Sequence, residues 1–207
     1  MITDSLGTIV GYEAAADDLI EKFERLSSAQ IYDHLRDFLT PYPGDTLVDI
    51  GAGTGRDAAW FSELGYDVTA VEPVSAFLEY GARHYSGHDI KWLEDQLPAL
   101  AYLRAQGRQY NMMVLSAVWQ HLTLPERTAA MRNLAKLSAP GGRIIMSLRH
   151  GPGADDRPVV PISDEDTRML AKRNGFETIV ETRRPSVQTA NQDLGVEWTW
   201  LVLQKPR

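Results

Sequence analysis

Apolar residues near the start of the chain recur at helical spacing: Leu19, Phe23 and Leu26 stand at i, i+4 and i+7, and beyond a Ser27-Ser28 break Ile31, Leu35 and Phe38 repeat it. The pattern predicts two amphipathic helices, stopped by Thr40-Pro41-Tyr42-Pro43-Gly44-Asp45. From Thr46 onward short apolar runs alternate with helix-length segments. Residues 47–50, 67–71, 90–93, 112–115 and 143–146 read as strands, and the segments between them suit right-handed crossovers, so the sheet is mostly parallel. Thr123-Leu124-Pro125-Glu126 is a capping-box start with Pro in the first turn, and Pro140-Gly141-Gly142 ends that helix. Ser163 caps a further helix, which Asn174-Gly175 closes. Residues 176–184 and 196–203 read as two strands with no helix between them, hence an antiparallel hairpin. The expectation is one α/β domain: a helical lid over 1–44, then a core over 45–207 built on a doubly wound, seven-stranded sheet.

Composition narrows the class. The 207 residues carry Lys+Arg 21 against Asp+Glu 28, a net charge of −7, with 43% hydrophobic residues, proportions of a globular domain with a real core. A pI near 5.2 and no Lys/Arg block argue against nucleic acid or an anionic lipid surface and favour a small molecule. Arg183-Arg184 with Trp198 and Trp200 could suggest an RNA patch, but alternation puts Trp198, Trp200 and Val202 on one face of a half-buried strand. The absence of cysteine removes disulfides, zinc ribbons, iron–sulfur clusters and thiolate nucleophiles. Residues 1–10 hold Asp4 and no basic residue, unlike a secretory signal, and the longest nearly apolar stretch, 112–119, falls far short of the roughly 20 residues that span a bilayer. A cytoplasmic location is expected.

The chemistry gathers at Leu47-Val48-Asp49-Ile50-Gly51-Ala52-Gly53-Thr54-Gly55-Arg56-Asp57, a strand running through a glycine-rich turn into a helix. Such glycines admit close backbone approach to a ligand. The next strand ends in Val71-Glu72-Pro73, which puts an acid where ribose hydroxyls are reached in nucleotide-binding α/β units. The spacing is G-x-G-x-G, and Arg56 stands where the dinucleotide fingerprint wants a small residue.

This run resembles the class I S-adenosylmethionine-dependent methyltransferases, over roughly residues 45–203, and the resemblance implies their Rossmann-like fold. It implies that Gly51, Gly53 and Gly55, with Ala52, Thr54 and Arg56, hold the methionine portion of S-adenosylmethionine, Asp49 being the acid common within that motif. By the same resemblance Glu72, with Pro73, binds the ribose, Asp95, Gln96 and Leu97 border adenine, and Ser116 and Ala117 face the reactive end, with S-adenosylhomocysteine as product. Asp95 also reads as a helix N-cap.

Methyl transfer is an in-line displacement, for which alignment supplies most of the catalysis and a base is needed only for a protonated acceptor. Zero cysteine excludes the cytosine-C5 and radical classes. Ser116-Ala117-Val118-Trp119 replaces the Asn/Asp-Pro-Pro-Tyr element of amino-methylating enzymes, and Ser116 replaces the metal-binding Asp of catechol-type enzymes, so no metal is expected.

The acceptor pocket should gather Tyr12 from the lid, Trp119-Gln120-His121 after the fourth strand, and Arg149-His150 with the loop 151–158. His121 and His150 are the candidate acceptor-orienting groups or bases, although His121 could instead serve the adjacent helix cap. Trp119 is a candidate for stacking a flat acceptor, with core packing or an adenine contact as the other readings. His84 and His88 have metal-ligand spacing but no third ligand. The expected reaction is metal-independent transfer to an oxygen or nitrogen of a small, aromatic or heterocyclic molecule. The alternatives are methylation of protein or RNA, S-adenosylmethionine binding without catalysis, and a nicotinamide oxidoreductase. Nothing in the sequence decides between monomer and homodimer.

Overall fold

The computed structural model describes residues 5–154, 157 and 159–207. Its seven-stranded sheet runs β3-β2-β1-β4-β5-β7-β6. The strands are β1 (Thr46–Ile50), β2 (Asp67–Val71), β3 (Ile90–Leu93), β4 (Tyr110–Leu115), β5 (Ser138–His150), β6 (Glu177–Pro185) and β7 (Glu197–Gln204). β1 pairs in parallel with β2 and β4, β2 with β3, and β4 with β5, while β7 runs antiparallel to both β5 and β6. Leu47, Val48, Val114 and Leu115 are fully buried, as expected of parallel strands covered on both faces. Strand order reverses between β1 and β4, so a crevice opens above their carboxyl ends.

One face packs on α6 (Ala101–Ala105), α7 (Leu124–Leu137) and α8 (Asp164–Arg173), around Trp119, Met131 and Leu134. The other packs on α3 (Ser28–Ile31), a 3₁₀ turn (Asp33–Phe38) and α4 (Arg56–Glu63), around Tyr32, Leu35 and Phe61. A third, smaller cluster joins α1 (Ser5–Ala14) and α2 (Ala16–Glu24) to α5 (Ser75–His84) through Leu19, Val74 and Phe77. The capping box read from Thr123 and the cap read from Ser163 are formed at α7 and α8: Thr123 N and Oγ1 both donate to Glu126 at 2.7 Å, and Asp166 N donates to Ser163 Oγ at 3.1 Å.

Four local expectations are corrected. The helix expected through Phe38 is a single α-turn followed by 3₁₀ geometry, whose three-residue repeat aligns Tyr32 and Leu35, both fully buried. A helix over Ser5–Ala14 precedes the two that the sequence suggested. Pro140-Gly141-Gly142 lies inside β5 rather than ending α7, at a register shift between Tyr110 and Met112; a Cβ on Gly142 would meet Tyr110 O at 2.9 Å, so glycine lets the two backbones pass. The hairpin link contains a short helix, α9 (Thr189–Asp193), tied by Gln192 Nε2 donating to Ser186 O at 2.6 Å and closed by Gly195 N donating to Gln192 O.

Candidate active site

The glycine turn caps the carboxyl end of β1. Gly51 N and Ala52 N both donate to Val71 O, which folds the turn over β2. Gly51 has φ +76°, and a Cβ there would fall 2.5 Å from Val118 Cγ2; Gly53 has φ +57° and nothing nearer its absent Cβ than Phe23 at 3.9 Å. Glycine at 51 is therefore demanded by packing, and at 53 it leaves bare backbone on an open space. Gly55 begins α4 against the Trp92 ring and lines neither cavity described below.

Glu72, at the end of β2, is buried, and its Oε2 accepts from Gly53 N at 2.6 Å while Oε1 accepts from Val74 N at 2.9 Å. Burial pushes its carboxyl up to about 7, the two backbone donors opposing. Asp95 accepts from Gln96 N, Ala101 N and Leu103 N and so caps the segment that opens α6, which is the capping role the sequence had offered as its other reading. Asp49 is buried without a side-chain hydrogen bond to any described residue, and burial, with Asp57 adding and Arg56 opposing, holds its carboxyl well above the usual range.

Two cavities flank this turn. One, about 440 Å³, runs from Glu72, Pro73, Asp95, Gln96 and Leu97 past Gly51 and Gly53 to Tyr12, His121 and Arg149. The other, about 410 Å³, is bounded by Asp49, Ala52, Thr54, Arg56, His34 and Trp200. Ser116, Ala117 and Trp198 line both, so the two meet above β4. Ala117 sits there at φ +58°, its N–H donating to Ser147 Oγ at 2.8 Å and its carbonyl accepting from Gln120 Nε2 at 2.5 Å.

Arg56 ties the covering helices to the turn. Its Nη1 donates to Phe23 O at 2.9 Å, and its Nε and Nη2 reach Asp57 Oδ1 at 2.8 and 2.7 Å. Asp57 also accepts from Ser28 Oγ at 2.6 Å and Tyr32 Oη at 2.9 Å. The sequence reading missed this network, although Ser28, Tyr32 and Asp57 are polar residues set among core positions.

At the far end of the larger cavity Tyr12 Oη lies 3.0 Å from His121 Nε2, with the rings edge to face, and Gln120 Nε2 approaches the same nitrogen at 3.3 Å. An amide nitrogen can only donate, so in this arrangement Nε2 acts as the acceptor. Phe23, Phe77 and Trp198 complete the walls. Two expectations fail here. Trp119 is fully buried in the main core and lines neither cavity, because its 3₁₀ turn (Trp119–His121) directs it beneath β4 and only His121 and Gln120 upward. His150 also lines neither cavity; its Nε2 lies 3.0 Å from Thr199 Oγ1 and 3.1 Å from Asp164 Oδ1, engaged with β7 and the start of α8. His84 stacks on Tyr80 and His88 pairs with Glu63, and among the described residues no group of three or more His, Asp or Glu could hold a metal ion.

The strand order with its reversed β7, the glycine turn on β1 and the buried acid ending β2 are the Rossmann-like arrangement that the resemblance to class I methyltransferases implied. The family model described as Methyltransferase domain matches residues 47–142, a little under half of the chain. A ubiquinone biosynthesis O-methyltransferase of Caulobacter sp. (strain K31) is 29% identical over 108 residues, 52% of this chain and 42% of the relative. The chain spans about two-fifths of the length of the curated relatives it matches. Among solved structures, the 1,6-didemethyltoxoflavin-N1-methyltransferase of Burkholderia thailandensis, with 1,6-didemethyltoxoflavin and S-adenosylhomocysteine bound, has a TM-score of 0.67 at 18% identity, covering 98% of this chain and 88% of that one. The N-methyltransferase NodS of Bradyrhizobium japonicum WM9, with S-adenosylhomocysteine bound, has a TM-score of 0.68 at 13% identity, covering 90% and 91%.

The residues present fit S-adenosylmethionine, the methyl donor that this fold family implies. The bare backbone at Gly53 offers a cradle, the unpaired buried carboxyl of Asp49 suits an ammonium group, and each Glu72 oxygen accepts one backbone N–H and keeps a lone pair for a ribose hydroxyl.

Proposed function

We propose that the chain is an S-adenosylmethionine-dependent methyltransferase that acts on an oxygen or nitrogen of a small aromatic or heterocyclic molecule by direct displacement without a metal. The observation that carries this reading is the continuity of the two cavities around Gly51 and Gly53, with nucleoside-type groups at one end and the Tyr12–His121 pair at the other. When bound, S-adenosylmethionine supplies an electrophilic methyl group on a sulfonium. Asp49 and the glycine turn hold its aminocarboxypropyl arm, Glu72 its ribose, and Gln96 and Leu97 border its adenine beside Asp95. Ser116 and Ala117 line the junction where the acceptor meets the methyl group, and α1 and α2 act as the lid that excludes water. Tyr12 and His121 orient the acceptor, and the Nε2 lone pair of His121 takes up its proton, directly or through the Tyr12 hydroxyl. Metal independence rests on Ser116 standing where catechol-type enzymes carry a ligand acid. The test is transfer of labelled methyl to a panel of small phenols, amines and nitrogen heterocycles. His121→Ala should lower kcat/KM about 100-fold, whereas His150→Ala should leave turnover near normal. Tight S-adenosylhomocysteine binding without transfer to any acceptor would instead make the chain a non-catalytic binder.

A further inference from the structure

The chain as a whole is acidic, with a net charge of −7, yet the charged groups that the described residues bring to the acceptor end of the larger cavity are cations. Among the described residues its lining carboxylates are Glu72 and Asp95, both at the nucleoside end and both accepting backbone N–H groups. The cations Lys22, Arg149 and Arg157 line the same cavity. Each arginine rests on an aromatic face, Arg149 with its guanidinium carbon 5.4 Å from the Trp198 ring centre and Arg157 at 5.3 Å from that of Tyr12.

Arg149 is the better defined of the two. At the end of β5 its Nε and Nη2 donate to Pro152 O at 3.1 and 2.7 Å, and Nη2 also reaches Asn191 Oδ1 at 3.2 Å. All these partners are neutral, and among the described residues no carboxylate pairs with the guanidinium and Nη1 has no hydrogen bond. A half-buried cation fixed by stacking, with neutral partners and a donor to spare, is an arrangement that an incoming anion completes.

We infer that the acceptor is an anionic aromatic molecule bearing a carboxylate, anchored by Arg149, with its ring among Trp198 and Tyr12 and its nucleophilic atom toward His121. The inference rests on the methyltransferase reading and adds to it the charge class of the acceptor. The fixed guanidinium sets register: with the carboxylate held at Arg149, the reacting hydroxyl or amine is presented at the cavity junction.

The test uses the full chain saturated with S-adenosylhomocysteine. Hydroxy- and amino-benzoates and quinoline carboxylates are titrated beside the corresponding primary amides, which keep the ring and lose the charge. Binding is followed by quenching of tryptophan fluorescence, with Trp198→Phe identifying the reporter. The acids should bind at least tenfold more tightly than their amides. Arg149→Gln should abolish that preference, Arg149→Lys should retain part of it, and rising salt should weaken acids but not amides. Equal affinity for acid and amide, no saturable binding by any acid, or a preference that survives Arg149→Gln would each overturn the inference. S-adenosylhomocysteine affinity, measured separately on every variant, distinguishes the two failures: its loss in the wild type defeats the methyltransferase reading, while its retention with no acid preference defeats only this one.

Discussion

Glu72 shows how one side chain couples charge to binding. Its carboxyl, ordinarily near 4.5, is pushed up to about 7 by burial. A raised acid stabilises the fold most below its unfolded value, and that contribution is lost as pH rises through about 7. Ribose hydroxyls donate to the ionised form, so ligand binding runs the other way and favours loss of the proton. S-adenosylhomocysteine affinity should therefore rise by up to about tenfold between pH 6 and pH 8, and the rise should vanish in Glu72→Gln, as isothermal titration in buffers of different ionisation heat would show. Trp119 teaches the opposite lesson. Its place after the fourth strand suggested an acceptor wall, yet the ring is fully buried among core side chains. Trp119→Ala should cost about 3–5 kcal/mol of stability in urea unfolding. Substrate KM in the fraction that remains folded should change little.

Among the elements, α2, α3 and α4 act together through Arg56 and Asp57. Asp57 is the shared acceptor for Ser28, Tyr32 and Arg56, so its removal leaves three donors unmet, one of them a cation only 18% exposed. Asp57→Ala should cost about 3–5 kcal/mol, with new protease cleavage between α2 and α3; a loss below about 1 kcal/mol would show that the network is not what holds these helices. The strands and the two long helix caps were legible because their causes are local: apolar runs of buried parallel strands, a Thr123–Glu126 box, a Ser163 cap. The 3₁₀ turn, the short α9 and the extension of β5 through Pro140-Gly141-Gly142 were not. The first and last follow from contacts distant in sequence, Tyr32 reaching Asp57 and Gly142 passing Tyr110, while α9 is tied within its own link by Gln192 and Asn191 folding onto Ser186, a pattern with no apolar periodicity to announce it.

For the whole molecule, sheet order decides where chemistry can occur. The reversal between β1 and β4 brings the glycine turn, Glu72 and the Ser116-Ala117 segment to one crevice, and the covering cluster of α1, α2 and α5 closes it with Tyr12 and Phe23. That Gly51, Gly53 and Glu72 would share one cavity was readable as a motif because backbone geometry and one acid at a strand end produce it, whereas Gly55 lies outside the cavities. The far end of the cavity was only half readable: Tyr12, Gln120, His121 and Arg149 come together, while Trp198 was missed and His150 turns to Asp164, since side-chain direction at a strand end depends on partners distant in sequence.

The central claim is that this crevice binds an adenosyl sulfonium donor through Glu72 and the glycine turn. Calorimetric titration with S-adenosylhomocysteine, run beside NADH and repeated with Glu72→Ala, tests it most directly. The account predicts saturable binding of S-adenosylhomocysteine at one site, weakened about 10- to 100-fold in the variant, and no binding of NADH. A folded protein that ignores S-adenosylhomocysteine, or that binds NADH in its place, would contradict it.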